Sequence, residues 1–162
     1  MNIDFDPEKA FLEIDLDRDG QITAYELFRF MKEVLSVRLP LSDAESVVYE
    51  FDGNQDKKLS FLEFQQLVLP ATSRSLRDIA LNRATLSASS LAYKYRQLPF
   101  STLRQLGDLV EREARFLQKR ADFRRQLMMS SDFIKSRYFN QIAQGKAMIT
   151  VDDIILFLFQ NG

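Results

Sequence analysis

The twelve residues Asp15 to Glu26, DLDRDGQITAYE, carry acidic side chains at their first, third and fifth positions, a glycine at the sixth and a glutamate at the twelfth. Acidic turns on a protein surface are commonly just solvated. A hard divalent cation, however, wants six to eight oxygens, and a 12-residue loop supplies them from positions 1, 3, 5, 7, 9 and 12. The surroundings of the segment decide between these readings.

A second copy follows. Residues 52–63, DGNQDKKLSFLE, hold Asp52, Asn54, Asp56 and Glu63 at the offsets of Asp15, Asp17, Asp19 and Glu26, beginning 37 residues later. An apolar pair spaced by three precedes each loop, Phe11 with Ile14 and Val48 with Phe51, as on one face of a short helix. A helical apolar stripe follows each: Leu27, Phe30, Met31 and Val34, then Phe64, Leu67 and Val68. Asp6 with Pro7 after it marks the start of the first helix, and Ser42 with Glu45 reads as a capping box for the third. Helix, acidic loop, helix is thus written twice, and Pro70 with ATSRS after it puts a linker near residues 70–75.

These residues resemble the EF-hand superfamily, in the paired form found in calmodulin and centrin. The resemblance implies an all-α fold of two paired-hand lobes, each tied by a short two-residue β-bridge, here Ile22 with Leu59. It implies calcium held by Asp15, Asp17 and Asp19, the Gln21 carbonyl, Thr23 through water, and bidentate Glu26. In the second loop the corresponding ligands are Asp52, Asn54, Asp56, the Lys58 carbonyl, Ser60 through water, and Glu63. Lys57 stands where the family prefers glycine, and the second loop has three acidic ligands against four. A side chain with a Cβ costs about 1–2 kcal/mol in the left-handed region, so the second site is expected to be the weaker.

Composition narrows the function. The chain has 162 residues, 46% of them hydrophobic, 14 phenylalanines against five tyrosines and no tryptophan, so a Phe-lined globular core is expected. With neither histidine nor cysteine there is no imidazole base, thiolate nucleophile or disulfide framework, and a non-enzymatic protein is expected. The acidic opening lacks a signal-peptide layout, and the apolar run Ile154–Phe159 is too short to cross a bilayer, so a cytoplasmic setting is expected. Residues 1–70 carry a net −8 and residues 71–162 a net +7, an acidic half joined to a basic one.

The basic half, residues 71–162, reads as a degenerate helical lobe. A helix is expected from about Ser75, a loop at SASS, a long helix from Ser101 to about Met129, a helix capped by Asp132, and a strand-like start to a last helix in MITVDDIILFLF. FNQIAQGKAMITVDDIILFL resembles a fourth hand without its metal: Thr150 and Asp153 hold the ninth and twelfth places, while Lys146 stands among the missing carboxylates. The segment around Leu98 is the candidate third hand, with Leu98 pairing with Ile149. The long helix carries EREARFLQKRADFRR, residues 111–125, with six basic and three acidic side chains. It can be a solvated helix packed in the carboxy-terminal lobe, a basic segment docked on an acidic lobe of its own or of a partner, or a nucleic-acid or membrane binder; interrupting acids and the lack of an aromatic platform disfavour the last.

The resemblance implies a calcium sensor that binds a partner protein or helix; the groove candidates are Phe11, Phe28, Met31, Leu35, Phe51, Phe64 and Leu67, with core packing as the other reading of each and the favoured one for Phe11, Phe51 and Phe64. A rival is a constitutive structural subunit stapled by calcium. Two intact hands, two degenerate hands and a long inserted helix resemble centrin-like and calmodulin-like proteins of ciliates and other flagellated protists, which implies a cytoskeletal or ciliary partner.

Overall fold

The Asp6 carboxylate accepts from the N–H groups of Glu8 (3.0 Å) and Lys9 (3.3 Å), and Pro7 follows at the first helical position, so the chain enters α1, Pro7–Ile14, as expected. The computed structural model describes residues 5–70, 73–87, 98–130 and 135–161, with side chains 83–87, 135–136 and 161 excepted. Strand β1, Gln21–Thr23, leads into α2, Ala24–Arg29, which continues as a π-helical turn, Phe30–Val34. Then come α3, Leu41–Phe51; β2, Lys58–Ser60; α4, Phe61–Val68; α5, Arg74–Ser87; α6, Phe100–Met129; α7, Lys135–Ala143; and α8, Val151–Asn161.

Strands β1 and β2 pair antiparallel with Ile22 opposite Leu59, the expected bridge, and both side chains are fully buried. Phe11 contacts Phe61 and Phe64 edge-on, each at 5.5 Å between ring centres, tying the first entering helix to the last exiting one. The expected capping box at Ser42 does not form. Pro40, with its fixed φ of −59°, already occupies the cap position of α3, and the Ser42 hydroxyl turns to Asp43 instead.

The chain divides into two compact units, residues 1–118 and 119–162. In the first, α5 follows the second hand, and the amino-terminal part of α6 buries Leu103, Leu106, Val110, Ala114 and Leu117 in one core with Met31, Leu35, Val47 and Phe64. Each fully buried Leu or Val contributes about 1.5–3 kcal/mol. Of the readings open for this helix, docking on its own acidic lobe describes residues 100–118. Leu98 is irregular in backbone and buried in this same core, and among the described residues the only sheet is β1–β2, so the suggested pairing of Leu98 with Ile149 is not formed.

The second unit holds the exposed remainder of α6, then α7 and α8 joined by a turn at Gln144 and Gly145, both at positive φ. No strand precedes α8: Ile149 and Thr150 are irregular. Asp132, expected to cap α7, and Ala88–Ser90 of the SASS loop lie outside the described residues.

Candidate metal centre

Both acidic loops are built on the same scaffold. Glu26 is the third residue of α2, and its Oε2 accepts from the Thr23 N–H and hydroxyl, each at 2.8 Å, while its Oε1 accepts from the N–H groups of Leu16 (3.0 Å) and Asp17 (3.5 Å). Glu63 repeats this on Ser60 (2.9 and 2.7 Å), Gly53 (2.9 Å) and Asn54 (3.3 Å). In each loop the twelfth-position carboxylate therefore clasps the loop to the first turn of the exiting helix. Thr23 and Ser60, expected only as water-mediated ligands, also cap those helices through full capping boxes. The signal was present in TAYE and SFLE. The Glu63 carboxyl lies below its ordinary range, chiefly because the Ser60 hydroxyl and then the Ser60 amide donate to it.

The first loop gathers its oxygens about a buried carboxylate. Asp15 ends α1 and is 2% exposed; its Oδ2 accepts from the Gly20 N–H at 3.0 Å, but its Oδ1 is the only buried side-chain oxygen or nitrogen without a hydrogen-bond partner among the described residues. A buried carboxylate oxygen left without a partner is costly. Ligand oxygens of Asp15, Asp17 and Asp19 all lie within 4.8 Å of one another, so the carboxylate that bears the partnerless oxygen is one of three that converge. A divalent cation supplies what that arrangement lacks, and the donor set suits a hard, oxygen-seeking ion. Gly20 makes the sharp turn at φ +82°.

The second loop is more self-contained. Asp52 Oδ1 accepts from the N–H groups of Gln55 (2.6 Å) and Asp56 (3.2 Å), and Oδ2 from Lys57 (2.7 Å), so both oxygens are engaged by the loop itself. The Asn54 amide donates to Asp56 Oδ2 at 3.1 Å, and Asp56 Oδ1 accepts from the Lys58 N–H at 2.9 Å. Lys57 adopts φ +66°, the left-handed conformation anticipated at the glycine position.

Gln21 and Lys58, whose carbonyls the resemblance assigned to metal, lie at strand ends. Lys58 has a further role. Register places it opposite Thr23, and its ammonium reaches Asp19 Oδ2 in the first loop at 2.9 Å. This contact holds the Asp19 carboxyl below its usual range and raises the Lys58 ammonium. Nothing in the linear spacing shows it, because the two residues are 39 positions apart.

In the second unit, Thr150 and Asp153 repeat the clasp: Asp153 Oδ2 accepts from the Thr150 N–H (2.9 Å) and hydroxyl (2.7 Å), and the Thr150 hydroxyl accepts from the Asp153 N–H. Asp153 Oδ1 takes the Lys146 ammonium, which lowers its pKa to about 2. Asp153 is thus held both by the residue that caps α8 and by the Lys146 ammonium.

No helix of the described residues is long and apolar enough to cross a membrane. No curated protein and no solved structure gives a significant match to the chain. The family model of the EF-hand domain pair matches residues 6–69. EF-hand domains bind calcium, and the repeated loop, the flanking helices and the Ile22–Leu59 bridge agree with that match; residues 6–69 are an EF-hand domain pair.

Proposed function

We propose that this chain is a calcium-binding regulatory protein, without catalytic activity, that takes a partner helix on its amino-terminal lobe. The observation that carries the calcium reading is the partnerless, buried Oδ1 of Asp15, on a carboxylate that converges with those of Asp17 and Asp19. Asp15, Asp17, Asp19 and Glu26 would hold the tighter ion, with the Gln21 carbonyl and Thr23; Asp52, Asn54, Asp56 and Glu63, with the Lys58 carbonyl and Ser60, would hold the weaker. Bound calcium supplies the positive charge that offsets the clustered carboxylates. The residues themselves carry the response. Glu26 joins the amides of Leu16 and Asp17 to the first turn of α2, so displacement of its carboxylate is passed to α2 and the π-helical turn beyond it. Glu63 stands in the same relation to α4.

A second reading, a structural subunit with calcium as a permanent staple, is supported by the burial of Met31 and Leu35 beneath α6. Calcium titration followed by calorimetry, with an apolar dye added in a parallel series, separates them. The sensor binds two ions and gains dye fluorescence; the stapled subunit binds without the gain; and a flat calorimetric trace removes both.

A further inference from the structure

The surface between the exiting helix of the first hand and the entering helix of the second is covered by the chain's own α6. The fit is specific. Gly107 faces Leu35 so closely that a Cβ there would collide with Leu35 Cδ1 and lie 3.6 Å from Met31 Sδ. One turn before it, Arg104 Nη1 donates to the Leu35 carbonyl at 3.3 Å, an oxygen at the end of the π-helical turn. Further along, Gln118 Nε2 donates to Asp43 Oδ2 at 2.7 Å, in the first turn of α3. Leu106, Val110, Ala114 and Leu117 recur at helical spacing between these polar contacts, Leu103 stands just before them, and all five are buried. Beyond Leu117 the same helix exposes its apolar side chains: Phe123 is 66% and Leu127 49% accessible.

Resting on the reading that this lobe takes a partner helix, we propose that residues 100–118 are its resident occupant, so that a partner binds only by displacing them. The partner helix then carries the chemistry that the resident displays: apolar side chains in the register of Leu103, Leu106, Val110, Ala114 and Leu117, glycine where Gly107 meets Leu35, and an arginine one turn before it. A binding-competent lobe that is only partly vacant shows an apparent affinity reduced by the vacant fraction.

The experiment titrates a synthetic peptide of residues 98–118 into the full chain in saturating calcium, by calorimetry. A Leu106→Asp/Val110→Asp chain is run beside it to vacate the surface. The peptide is expected to bind the variant at least tenfold tighter than the unaltered chain, and a Gly107→Leu peptide is expected to bind neither. Equal affinity for both chains, or binding to neither by the native peptide while the variant still takes up calcium, overturns resident occupancy. Should the variant not fold, amide hydrogen exchange on the unaltered chain decides: residues 100–118 must exchange far more slowly than residues 119–129 of the same helix, and equal rates refute the proposal. Failure of calcium uptake by the unaltered chain is a separate result, counting against the proposed function and leaving the exchange measurement to judge the resident helix.

Discussion

Lys58 in the second loop places its ammonium 2.9 Å from Asp19 Oδ2 in the first. The bridge that pairs the hands thus also delivers a cation from one loop onto a carboxylate proposed to bind metal in the other. A bound ion at the first site has to share Asp19 with Lys58 or displace it. Lys58→Met removes that competitor and one positive charge from both loops. Calcium affinity at the first site should rise roughly two- to fivefold, the scale of an exposed ion pair, and the difference should shrink at high salt. Calorimetry at two ionic strengths reads both effects; unchanged or weakened binding contradicts the competition.

The two sites should respond unequally to loss of their clasping glutamates. Asp15 keeps a buried oxygen without a donor, whereas both oxygens of Asp52 are engaged by loop amides and must give these up to coordinate fully. Glu26→Gln should therefore abolish the tighter of two calcium-binding phases, and Glu63→Gln the weaker. Affinity follows ligand charge count, so each loss should be roughly tenfold or more. If both variants lose the same phase, the ranking is wrong.

Lys57 offers a test of backbone strain. Its φ of +66° costs about 1–2 kcal/mol relative to glycine, and glycine returns about 0.5–1 kcal/mol of that through its freer unfolded chain. Lys57→Gly should leave a net gain of about 0–1.5 kcal/mol, centred on about 0.75 kcal/mol, measured by denaturant unfolding of the calcium-free protein. Lys57→Gln, which removes the charge and keeps the Cβ, separates strain from electrostatics: it should share any increase in second-site calcium affinity due to charge but not the gain in calcium-free stability.

How much of this was legible beforehand follows from the range of each signal. The loops and their helical flanks are written in local spacing, because coordination order and helix period are properties of consecutive residues, whereas the Ile22–Leu59 bridge was implied by the resemblance. Glu63 on Ser60 was equally local and merely hidden by the metal reading of the same residues. The Lys58–Asp19 contact and the seat of Gly107 against Leu35 are long-range consequences of strand register and helix docking, and no consecutive pattern encodes them. The apolar stripe of α6 was visible, but a stripe specifies a buried face and leaves open which lobe covers it.

That division along α6 predicts a contrast within one helix. Leu106 is 3% exposed and Leu127 49%. Leu106→Ala should destabilise the unit containing the paired hands by about 2–5 kcal/mol, whereas Leu127→Ala should stay within about 0.5 kcal/mol. Denaturant unfolding of the two variants compares them directly. Similar small losses would mean that residues 100–118 do not contribute to the core of the hands.

The third clasp carries a pH signature. Lys146 beside Asp153, with the Thr150 amide and hydroxyl donating to it, lowers the Asp153 pKa from 3.8 to about 2. A carboxyl whose folded pKa lies below its unfolded value contributes stability that is fully present above the unfolded value and is lost as pH falls through the folded one. The start of α8 should therefore keep its cap at pH 5 and lose it progressively between about pH 4 and pH 2. Carboxyl-carbon NMR should place the Asp153 midpoint near 2. Lys146→Ala removes the largest cause, so the midpoint should rise toward 3.8 while the Thr150 bonds keep it from arriving there. An Asp153 midpoint that ignores Lys146→Ala would show that the ammonium does not hold this loop.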